Sequence, residues 1–515
     1  MSGNVSLPDS VQTIPDALAF WADRTPDAPA FILAGGPVVT YGALWRHARL
    51  LAETLAARGI ARHDRIVLLV PEGPQLAIAL LGTAAATIAV PLNATLTVPE
   101  LDEAVQRLSP AGVVAAPSLP EASRGALSRN RVPLFELSLD ANLGEFTLAG
   151  EAIRPPLRAV GPRPQDIAFI GHTSGTTGVP KQIPRIHRQI VVSGRIHRDR
   201  FGLSQRDRAL SVAPITLALG RTGLTHGIAA GAALIFPALP GLPGLHAAIE
   251  AERPTWMHAA AGFLEVLTRY LRNHPLSQPS SFRFSRVTAA PIAPEIVDEL
   301  AMRLGAPILP GYSMSETGLI ATALPPPAPY KPGSTGKPME EIRIVDEDGK
   351  DVGQGVAGEV WVGGPRIASR FSQDSELNAL ALTSPGWFRT GDVGYLDEDG
   401  FLFLTGRLNE LINRGGAKIA PIEVDEVLLA HPAVAAAAAF AVADELLGED
   451  IVAAVVVNDG TAVTHRELRR WMLDRLSLVK VPRRIWFVDD LPRTQSGKVQ
   501  RGVLRERYEG DRVMG

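Results

Sequence analysis

The 515-residue chain contains no cysteine. This absence excludes disulfide bridges, a catalytic thiolate and any metal site with cysteine ligands. A chain without cysteine fits a reducing compartment, and we expect the protein in the cytoplasm. Any covalently activated intermediate must therefore form on a group other than an enzyme thiol.

The sequence also lacks an excess of charge of one sign and a long apolar segment. Its formal net charge is −3 with both signs interspersed, so no basic block predicts a nucleic-acid partner. The N-terminus shows no signal peptide pattern. The longest apolar runs, 75–92 and 433–443, are interrupted or too short to span a membrane. Both predict buried elements of an α/β core.

A chain of 515 residues exceeds one ordinary domain, so several subdomains are expected. The hydrophobic patterns predict that these subdomains are α/β units. Apolar residues recur at helical spacing from Leu44 to Leu55. The run 65-RIVLLV-70 is typical of a buried parallel strand, and a helical segment at 74–86 leads to another apolar run at 88–90. This βαβ pattern predicts doubly wound subdomains.

The second half of the chain has a different pattern. The stretch 341–364 alternates in β fashion around an Asp-Gly turn, and 395–407 is a second hairpin signal. These features predict a small β-rich subdomain, followed by an α+β tail of a usual domain size. We expect a large N-terminal domain at 1–408 and a small C-terminal domain at 409–515.

A loop rich in glycine and hydroxyls, 173-TSGTTG-178, follows the apolar strand 167-IAFI-170. Glycine lets backbone N–H groups converge on a phosphate, and Lys181 adds positive charge. It is not a Walker loop, because Pro180 and Gln182 stand where that motif requires glycine and Ser or Thr. A flexible linker is the alternative interpretation, but the strand before the loop favours a phosphate site.

Four further stretches carry residue types that suit a nucleotide. They are 311-GYSMSETG-318, 386-GWFRTGDVG-394, 406-GRLNELINRGGAKIAP-421 and 492-PRTQSGKVQR-501. Tyr312 offers an aromatic face, and Glu316 is a hard oxygen ligand of the kind that Mg²⁺ prefers. Asp392 can accept hydrogen bonds from two ribose hydroxyls, while Arg407 and Lys498 add positive charge. Taken alone, 311–318 would suit an ordinary polar loop, and Lys498 would suit a solvated lysine of the tail.

Together and in this order, the five stretches resemble the adenylate-forming superfamily of acyl-CoA synthetases, luciferases and peptide-synthetase adenylation domains. The resemblance runs from 28-APAFILAGGPVVTYGALW-45 to the tail, and 330–338 with 410–434 is most similar to the oxalyl-CoA synthetase-like group, followed by 4-coumarate-CoA ligase-like enzymes. It implies that ATP converts a carboxylate to acyl-AMP with release of pyrophosphate, before a thiol takes the acyl group. The mixed anhydride needs no enzyme thiol and must be shielded from water.

The resemblance also implies a role for each residue of the site. The triphosphate would be held by Thr173, Ser174, Gly175, Thr176, Thr177, Gly178 and Lys181, and the rest of the nucleotide by Gly311, Tyr312, Ser315, Asp392 and Arg407. Tyr312 would stack on adenine, Ser315 would contact the α-phosphate and Glu316 would hold Mg²⁺. Lys498 would stabilise the charge that develops in the adenylation transition state.

The tail is expected to rotate between the two half-reactions. Asn409 occupies the hinge position of the superfamily, where Asp or Lys is usual, and asparagine tolerates uncommon backbone angles. After the rotation, Gly415 and Gly416 would border the channel for the thiol. A plain hairpin turn is the alternative interpretation for these two glycines.

The expected acid pocket is mainly apolar. Its predicted walls are Leu217, Leu219, Thr288, Met314 and Leu319. Leucines stand at 217 and 219, where the family usually carries a histidine, and no counterpart is evident for the aspartate that binds an α-amine. Leu319 replaces a polar or basic residue of the oxalyl group, which argues against oxalate. Arg221, His226 and His258 are possible polar contacts, each with a structural role as the favoured interpretation.

The sequence therefore predicts an ATP- and Mg²⁺-dependent ligase for a small carboxylic acid, with CoA as co-substrate. One alternative delivers the acyl group to the phosphopantetheine arm of a carrier protein. The other is a non-catalytic nucleotide-binding relative, against which Lys181, Glu316, Asp392, Arg407 and Lys498 argue.

We predict that Lys498→Ala will cripple adenylation and spare thioester formation from supplied acyl-adenylate, because the ammonium group is needed where charge develops on the α-phosphate. Pyrophosphate release measures the first step and thioester formation measures the second. Equal loss in both steps would contradict the role assigned to Lys498.

Overall fold

The structure is a computed structural model, and it describes residues 5–140, 142–172, 182–288, 292, 294–364, 367, 382–383, 386–444, 446–458, 460–493 and 499–508. Statements about the fold and the site refer to these residues. Within them, no helix is both long enough and apolar enough to cross a membrane.

Two large sheets occupy the first 338 residues. Their described strands are β1 (Pro29–Leu33), β2 (Val38–Thr40), β3 (Arg65–Leu69), β4 (Ile88–Pro91), β5 (Gly112–Ala115), β6 (Leu134–Leu139), β7 (Phe146–Ala149), β8 (Ile167–His172), β9 (Gln182–Ile186), β10 (Arg208–Leu210), β11 (Ala233–Phe236), β12 (Trp256–Ala260), β13 (Phe284–Thr288), β14 (Ile308–Met314), β15 (Gly318–Thr322) and β16 (Lys337–Pro338). One sheet has the order β7-β6-β5-β3-β4-β8-β9, and the other β16-β15-β14-β13-β12-β10-β11-β1-β2. Their central strands are parallel, and ligands bind at the carboxyl ends of such strands.

Helices cover these sheets. The described helices of this part are α1 (Ile14–Arg24), α2 (Tyr41–Ala57), α3 (Pro74–Ala84), α4 (Val98–Leu108), α5 (Glu121–Arg129), α6 (His187–Phe201), α7 (Ala218–Ala230), α8 (Gly241–Glu252), α9 (Ala261–Asn273) and α10 (Pro294–Leu304). The hydroxyl of Thr40 caps α2 by accepting from the Ala43 N–H at 3.2 Å. The stripe from Leu44 to Leu55 is buried, as its spacing predicts.

The rest of the chain forms two smaller sheets. The elements are β17 (Ile342–Val345), β18 (Gly358–Val362), β19 (Phe388–Leu396), β20 (Leu402–Arg407), β21 (Ile412–Arg414), β22 (Ala417–Ile419), α11 (Pro421–Leu429), β23 (Val434–Asp444), β24 (Gly448–Val457), α12 (His465–Leu473), β25 (Ile485–Phe487) and α13 (Arg501–Tyr508), with 3-10 turns at Leu408–Glu410 and Leu478–Lys480. No described strand pairing crosses Leu408–Glu410. Asn409, the predicted domain boundary, lies in that turn, and the boundary stays a prediction.

The predicted fold class is confirmed. The large part of the chain is doubly wound α/β, residues 342–407 form the small β-rich unit, and the tail is α+β. The alanine-rich run at 433–443 is a buried element, as predicted, and it folds as strand β23. Alanine favours helices, but pairing along the length of β24 overrides that local preference.

A backbone crossing joins the four-stranded sheet to the nine-stranded sheet. The Thr335 N–H donates to the Leu402 carbonyl at 2.8 Å, and the Leu402 N–H donates to the Gly336 carbonyl at 2.9 Å. Gly336 has φ +86, and a Cβ there would lie 1.9 Å from the carbonyl carbon of Thr322. Glycine is therefore required at 336, because β15 and β20 both pass against this backbone.

We predict that Gly336→Ala will destabilise the protein by about 2–4 kcal/mol, since the new methyl group meets fixed backbone and the φ angle disfavours a side chain. Urea unfolding measures the change. Gly353→Ala is the matched control, because a Cβ at 353 meets no atom within 4 Å. Equal unfolding midpoints for the two variants would show that the crossing is not under this constraint.

Candidate nucleotide site

Tyr312, Asp392 and Arg407 form a hydrogen-bonded cluster at the end of β14. The Tyr312 hydroxyl donates to Asp392 Oδ2, and Arg407 Nε donates to Asp392 Oδ1 at 2.5 Å. Asp392 and Arg407 are partners in the register of β19 and β20, whereas Tyr312 comes from the nine-stranded sheet. The structure thus brings together three residues that the sequence predicts around the nucleoside.

Tyr312 and Asp392 are buried, Arg407 is half-buried, and the charges of Asp392 and Arg407 are paired. Asp392 is 4% exposed. Burial raises the pKa of the Tyr312 phenol well above its usual value, and the Asp392 carboxylate raises it further. Burial alone would lower the pKa of Arg407, but the Asp392 carboxylate raises it above the usual value. Asp392 is consequently held as an acceptor between two donors, and each of its oxygens keeps a second lone pair for a ligand hydroxyl.

Ser315 and Glu316 lie in the turn between β14 and β15, and both are half-buried. The Glu316 carboxylate forms no ion pair with any described residue. No group of three or more His, Asp or Glu that could hold a metal occurs in the described ranges. A half-buried carboxylate of this kind fits Mg²⁺ that takes its other ligands from phosphates and water.

Gly311 precedes this turn on β14. A Cβ at Gly311 would lie 3.1 Å from the Ala321 carbonyl and 3.1 Å from Leu319 Cδ1. The position therefore has little room for a side chain on the side of β15. Its assignment to the nucleotide site stays a prediction.

Some of the predicted site residues lie outside the described residues. They are Thr173, Ser174, Gly175, Thr176, Thr177, Gly178, Lys181 and Lys498. The flanking residues are described: His172 pairs with Gln182 across β8 and β9, and Arg493 forms an antiparallel bridge with Val499. The roles of the phosphate loop and of Lys498 stay predictions.

The predicted pocket residues fall into two groups. Leu219 and His258 line one cleft, and His258 Nε2 lies 3.0 Å from the buried Thr288 Oγ1. The second group is Met314 and Leu319. Met314 Sδ lies 3.5 Å from the Tyr312 hydroxyl, and Leu319 is buried on the strand that pairs with the strand of Met314. Leu217 is half-buried and precedes α7 as its N-cap residue.

Three charged residues near these walls were missed or left with a structural role by sequence reasoning. The Glu72 carboxylate accepts from the Ile215 N–H at 2.8 Å and from the Thr216 hydroxyl at 2.7 Å. Arg185 Nη1 donates to the Glu316 carbonyl at 3.0 Å. Arg221 is buried, and its Nη1 donates to the Thr216 carbonyl at 2.6 Å. The available signal for Glu72 was its place directly after strand β3, at the ligand-binding edge of the sheet.

The remaining predicted residues occupy the tail and the core. Asn409 is exposed in its 3-10 turn. Gly415 (φ +57) and Gly416 (φ +89) are exposed and form the turn between β21 and β22. This backbone fits the hairpin interpretation, and the channel role stays a prediction. His226 is buried, with Nε2 3.3 Å from Ser193 Oγ, which agrees with a structural role.

Comparison with known protein families matches most of the chain. The model of the AMP-binding enzyme family matches residues 18–371, and that of the AMP-binding enzyme C-terminal domain matches residues 423–498. The chain belongs to the AMP-binding enzyme family. The predicted resemblance to adenylate-forming enzymes is thereby confirmed.

Named relatives extend over nearly the whole chain. It is 33% identical to the oxalate–CoA ligase of Arabidopsis thaliana, with 95% of this chain and 97% of the relative covered. It is 32% identical to the sulfoacetate–CoA ligase of Cupriavidus necator, with 96% and 97% covered. Among solved structures, ATP-bound MatB from Rhodopseudomonas palustris has a TM-score of 0.85 at 25% identity and covers 96% of this chain and 99% of its own. These findings support the predicted class, an adenylate-forming acid–thiol ligase.

We predict that Asp392→Asn will raise the KM for ATP by about 10- to 100-fold, because a buried charge-assisted acceptor for the ribose is lost. The preference of the wild type for ATP over 2′-deoxy-ATP should shrink to within about threefold. Asp397→Asn, in the hairpin loop after β19 and bonded to Lys331, is the matched control. An unchanged preference in Asp392→Asn would remove the residue from the ribose site.

Proposed function

We propose that the protein is an AMP-forming acid–CoA ligase, which joins a small carboxylic acid to AMP and then transfers the acyl group to CoA. The observation that carries the proposal is the Tyr312–Asp392–Arg407 cluster, with its buried carboxylate, beside the Glu316 turn. It presents a ring, a ribose acceptor and a Mg²⁺ ligand along one strand end, in a chain that belongs to the AMP-binding enzyme family.

In this proposal the described residues bind and orient the nucleotide. Asp392 accepts from the ribose hydroxyls, while Arg407 neutralises the carboxylate and Tyr312 borders the base. Glu316 holds Mg²⁺, which when bound reduces the negative charge of the phosphates. Fixing the α-phosphate against the acid is itself a large part of the rate increase, because the two reactants no longer have to meet by diffusion.

The tail supplies Lys498 in the first half-reaction. Arg493 precedes residues 494–498. Burial raises the pKa of Glu265 in α9, and the nearby charge of Arg493 lowers it. This proximity of Arg493 to Glu265 supports a tail that lies against the large domain. The hinge role of Asn409, at the turn between the sheets, belongs to the same proposal.

CoA is the proposed acceptor in the second half-reaction. The relatives that match over nearly the full length include two ligases named for CoA products. Gly415 and Gly416 form an exposed turn whose missing side chains leave room for a narrow pantetheine arm. Delivery to a carrier protein shares the same chemistry and is a separate arm of the test.

We predict that the purified protein will release pyrophosphate only in the presence of ATP, Mg²⁺ and a suitable acid, and will form a thioester with free CoA. A panel of short dicarboxylic, aromatic and medium-chain acids is assayed with CoA and with carrier proteins bearing phosphopantetheine.

Because the pantetheine arm of CoA must pass the glycine turn, we predict that Gly416→Val will slow thioester formation by about tenfold or more and leave pyrophosphate release unchanged.

Different outcomes test CoA as the acyl acceptor and the assignment of the protein as a ligase. Thioester formation on carriers and not on CoA would replace the proposed acceptor. Absence of acid-dependent pyrophosphate release over the whole panel would favour the non-catalytic relative.

A further inference from the structure

Arg221 is a buried cation that the proposed chemistry does not use. It lies in the first turn of α7, and 8% of its surface is exposed. Its Nη1 donates to the carbonyls of Ile215 at 3.1 Å and Thr216 at 2.6 Å. Within the described ranges, its Nε and Nη2 have no hydrogen-bond acceptor and no carboxylate lies within ion-pair distance. Neither nitrogen is among the fully buried atoms that lack a partner, so both keep some accessible surface where an anion could bind.

The surroundings hold this guanidinium in a fixed position. A Cβ at Gly171, near the end of β8, would lie 2.3 Å from Arg221 Nη2, so the strand leaves space for the group only because residue 171 is glycine. The Glu72 carboxylate accepts from the N–H groups of Ile215 and Thr216 at 2.8 and 3.1 Å. It thereby fixes the two carbonyls that hold Nη1. A donor pair with this degree of support is preorganised for a ligand.

A second guanidinium adds to the positive potential. Arg185 Nη1 donates to the Glu316 carbonyl, and its Nη2 lies 3.9 Å from the position of a Cβ on Gly318. Burial lowers the pKa of Arg221 to about 10; the charge of Glu72 opposes this shift and the charge of Arg185 adds to it. The two guanidinium charges are thus close enough to influence each other, and together they favour an anion nearby.

We propose that Arg221, assisted by the charge of Arg185, binds a second acidic group on the substrate, which is therefore a short dianionic acid such as a dicarboxylate or a sulfocarboxylate. This inference rests on the proposed acid–CoA ligase function. Nε and Nη2 lie on one edge of the planar guanidinium, and that edge matches two oxygens of a carboxylate or sulfonate. The leucines of the pocket would contact the short carbon chain, so the expectation of a mainly apolar acid gives way to a dianion with an apolar spacer.

The triphosphate is the other anion in this neighbourhood, because Gly171 comes just before the predicted phosphate loop. We favour the acid for a structural reason. Nη2 lies beside Gly171, but both hydrogen bonds of the guanidinium, through Nη1, hold it to the turn that leads directly into Leu217, a predicted wall of the acid pocket.

The test compares acids of equal carbon number that differ in the second acidic group: malonate with propionate, and succinate with butyrate, with sulfoacetate as a further dianion. Acid-dependent pyrophosphate release gives kcat/KM for each acid and the KM for ATP. In the wild type we expect the best dianion to exceed its monoanionic partner by roughly 100-fold. Arg221→Leu should remove that advantage by about 100-fold, mostly through KM for the acid, and leave the KM for ATP within about threefold.

Two further variants control for the loss of a buried arginine. Arg221→Lys keeps the charge and loses the planar fork, so it should retain ATP binding and lose about tenfold or more with dianions. Arg195→Leu removes a mostly buried arginine that also donates to backbone carbonyls, those of Pro8 and Val11, at a distance from the site. It should preserve the dianion preference.

Each outcome decides one point. The proposal is overturned if the wild type prefers the monoanionic acids. It is also overturned if Arg221→Lys keeps the acid preference and raises the KM for ATP, because that result would assign Arg221 to the triphosphate. A dianion-dependent rise in the wild-type melting temperature, absent in Arg221→Lys, supports the site even without pyrophosphate release. That combination would overturn the proposed ligase function and not the anion site.

Discussion

The structure of the site depends on one buried contact, the Asp392 carboxylate between Tyr312 and Arg407. A carboxylate with 4% exposure is stable only if donors replace the water that it has lost. One donor comes from its own four-stranded sheet and the other from the nine-stranded sheet, 80 residues away in the chain. Because the Asp392 carboxylate needs hydrogen bonds from both donors, the four-stranded sheet is held against the end of β14. The backbone crossing at Gly336 holds the same two sheets together from a second point.

This arrangement couples the candidate nucleotide site to the start of the tail. Arg407 is the last residue of β20, and the 3-10 turn Leu408–Glu410 follows immediately. A ligand that bonds to Asp392 therefore acts on the residue from which the tail departs. Because the tail sheet makes no described strand pairing with the four-stranded sheet, the two can change their relative orientation without breaking a β ladder. The proposed alternation between half-reactions needs this property.

The proposed acid pocket combines apolar walls with fixed positive charge. Leu219 lines a cleft with His258 of the buried His258–Thr288 pair, and Leu319 follows the half-buried Glu316 turn. Glu72 and Gly171 hold the Arg221 guanidinium in place although neither is a predicted pocket residue. Selectivity for the acid would thus arise from residues behind the wall that orient a charge, and the wall residues would set the length of the spacer.

The sequence alone determined the α/β organisation, the β-rich unit and the family, because these depend on local periodicity and on short motifs that stay contiguous in the chain. It named Tyr312, Asp392 and Arg407 through such motifs, although their mutual hydrogen bonds required the sheets to meet. It missed the action of Glu72 and Arg185 and assigned Arg221 a structural role, because each acts through partners remote in sequence and none belongs to a motif. Only the tertiary structure decided where those charges lie, since burial and distance set the energy of a charge and neither is a property of a local stretch.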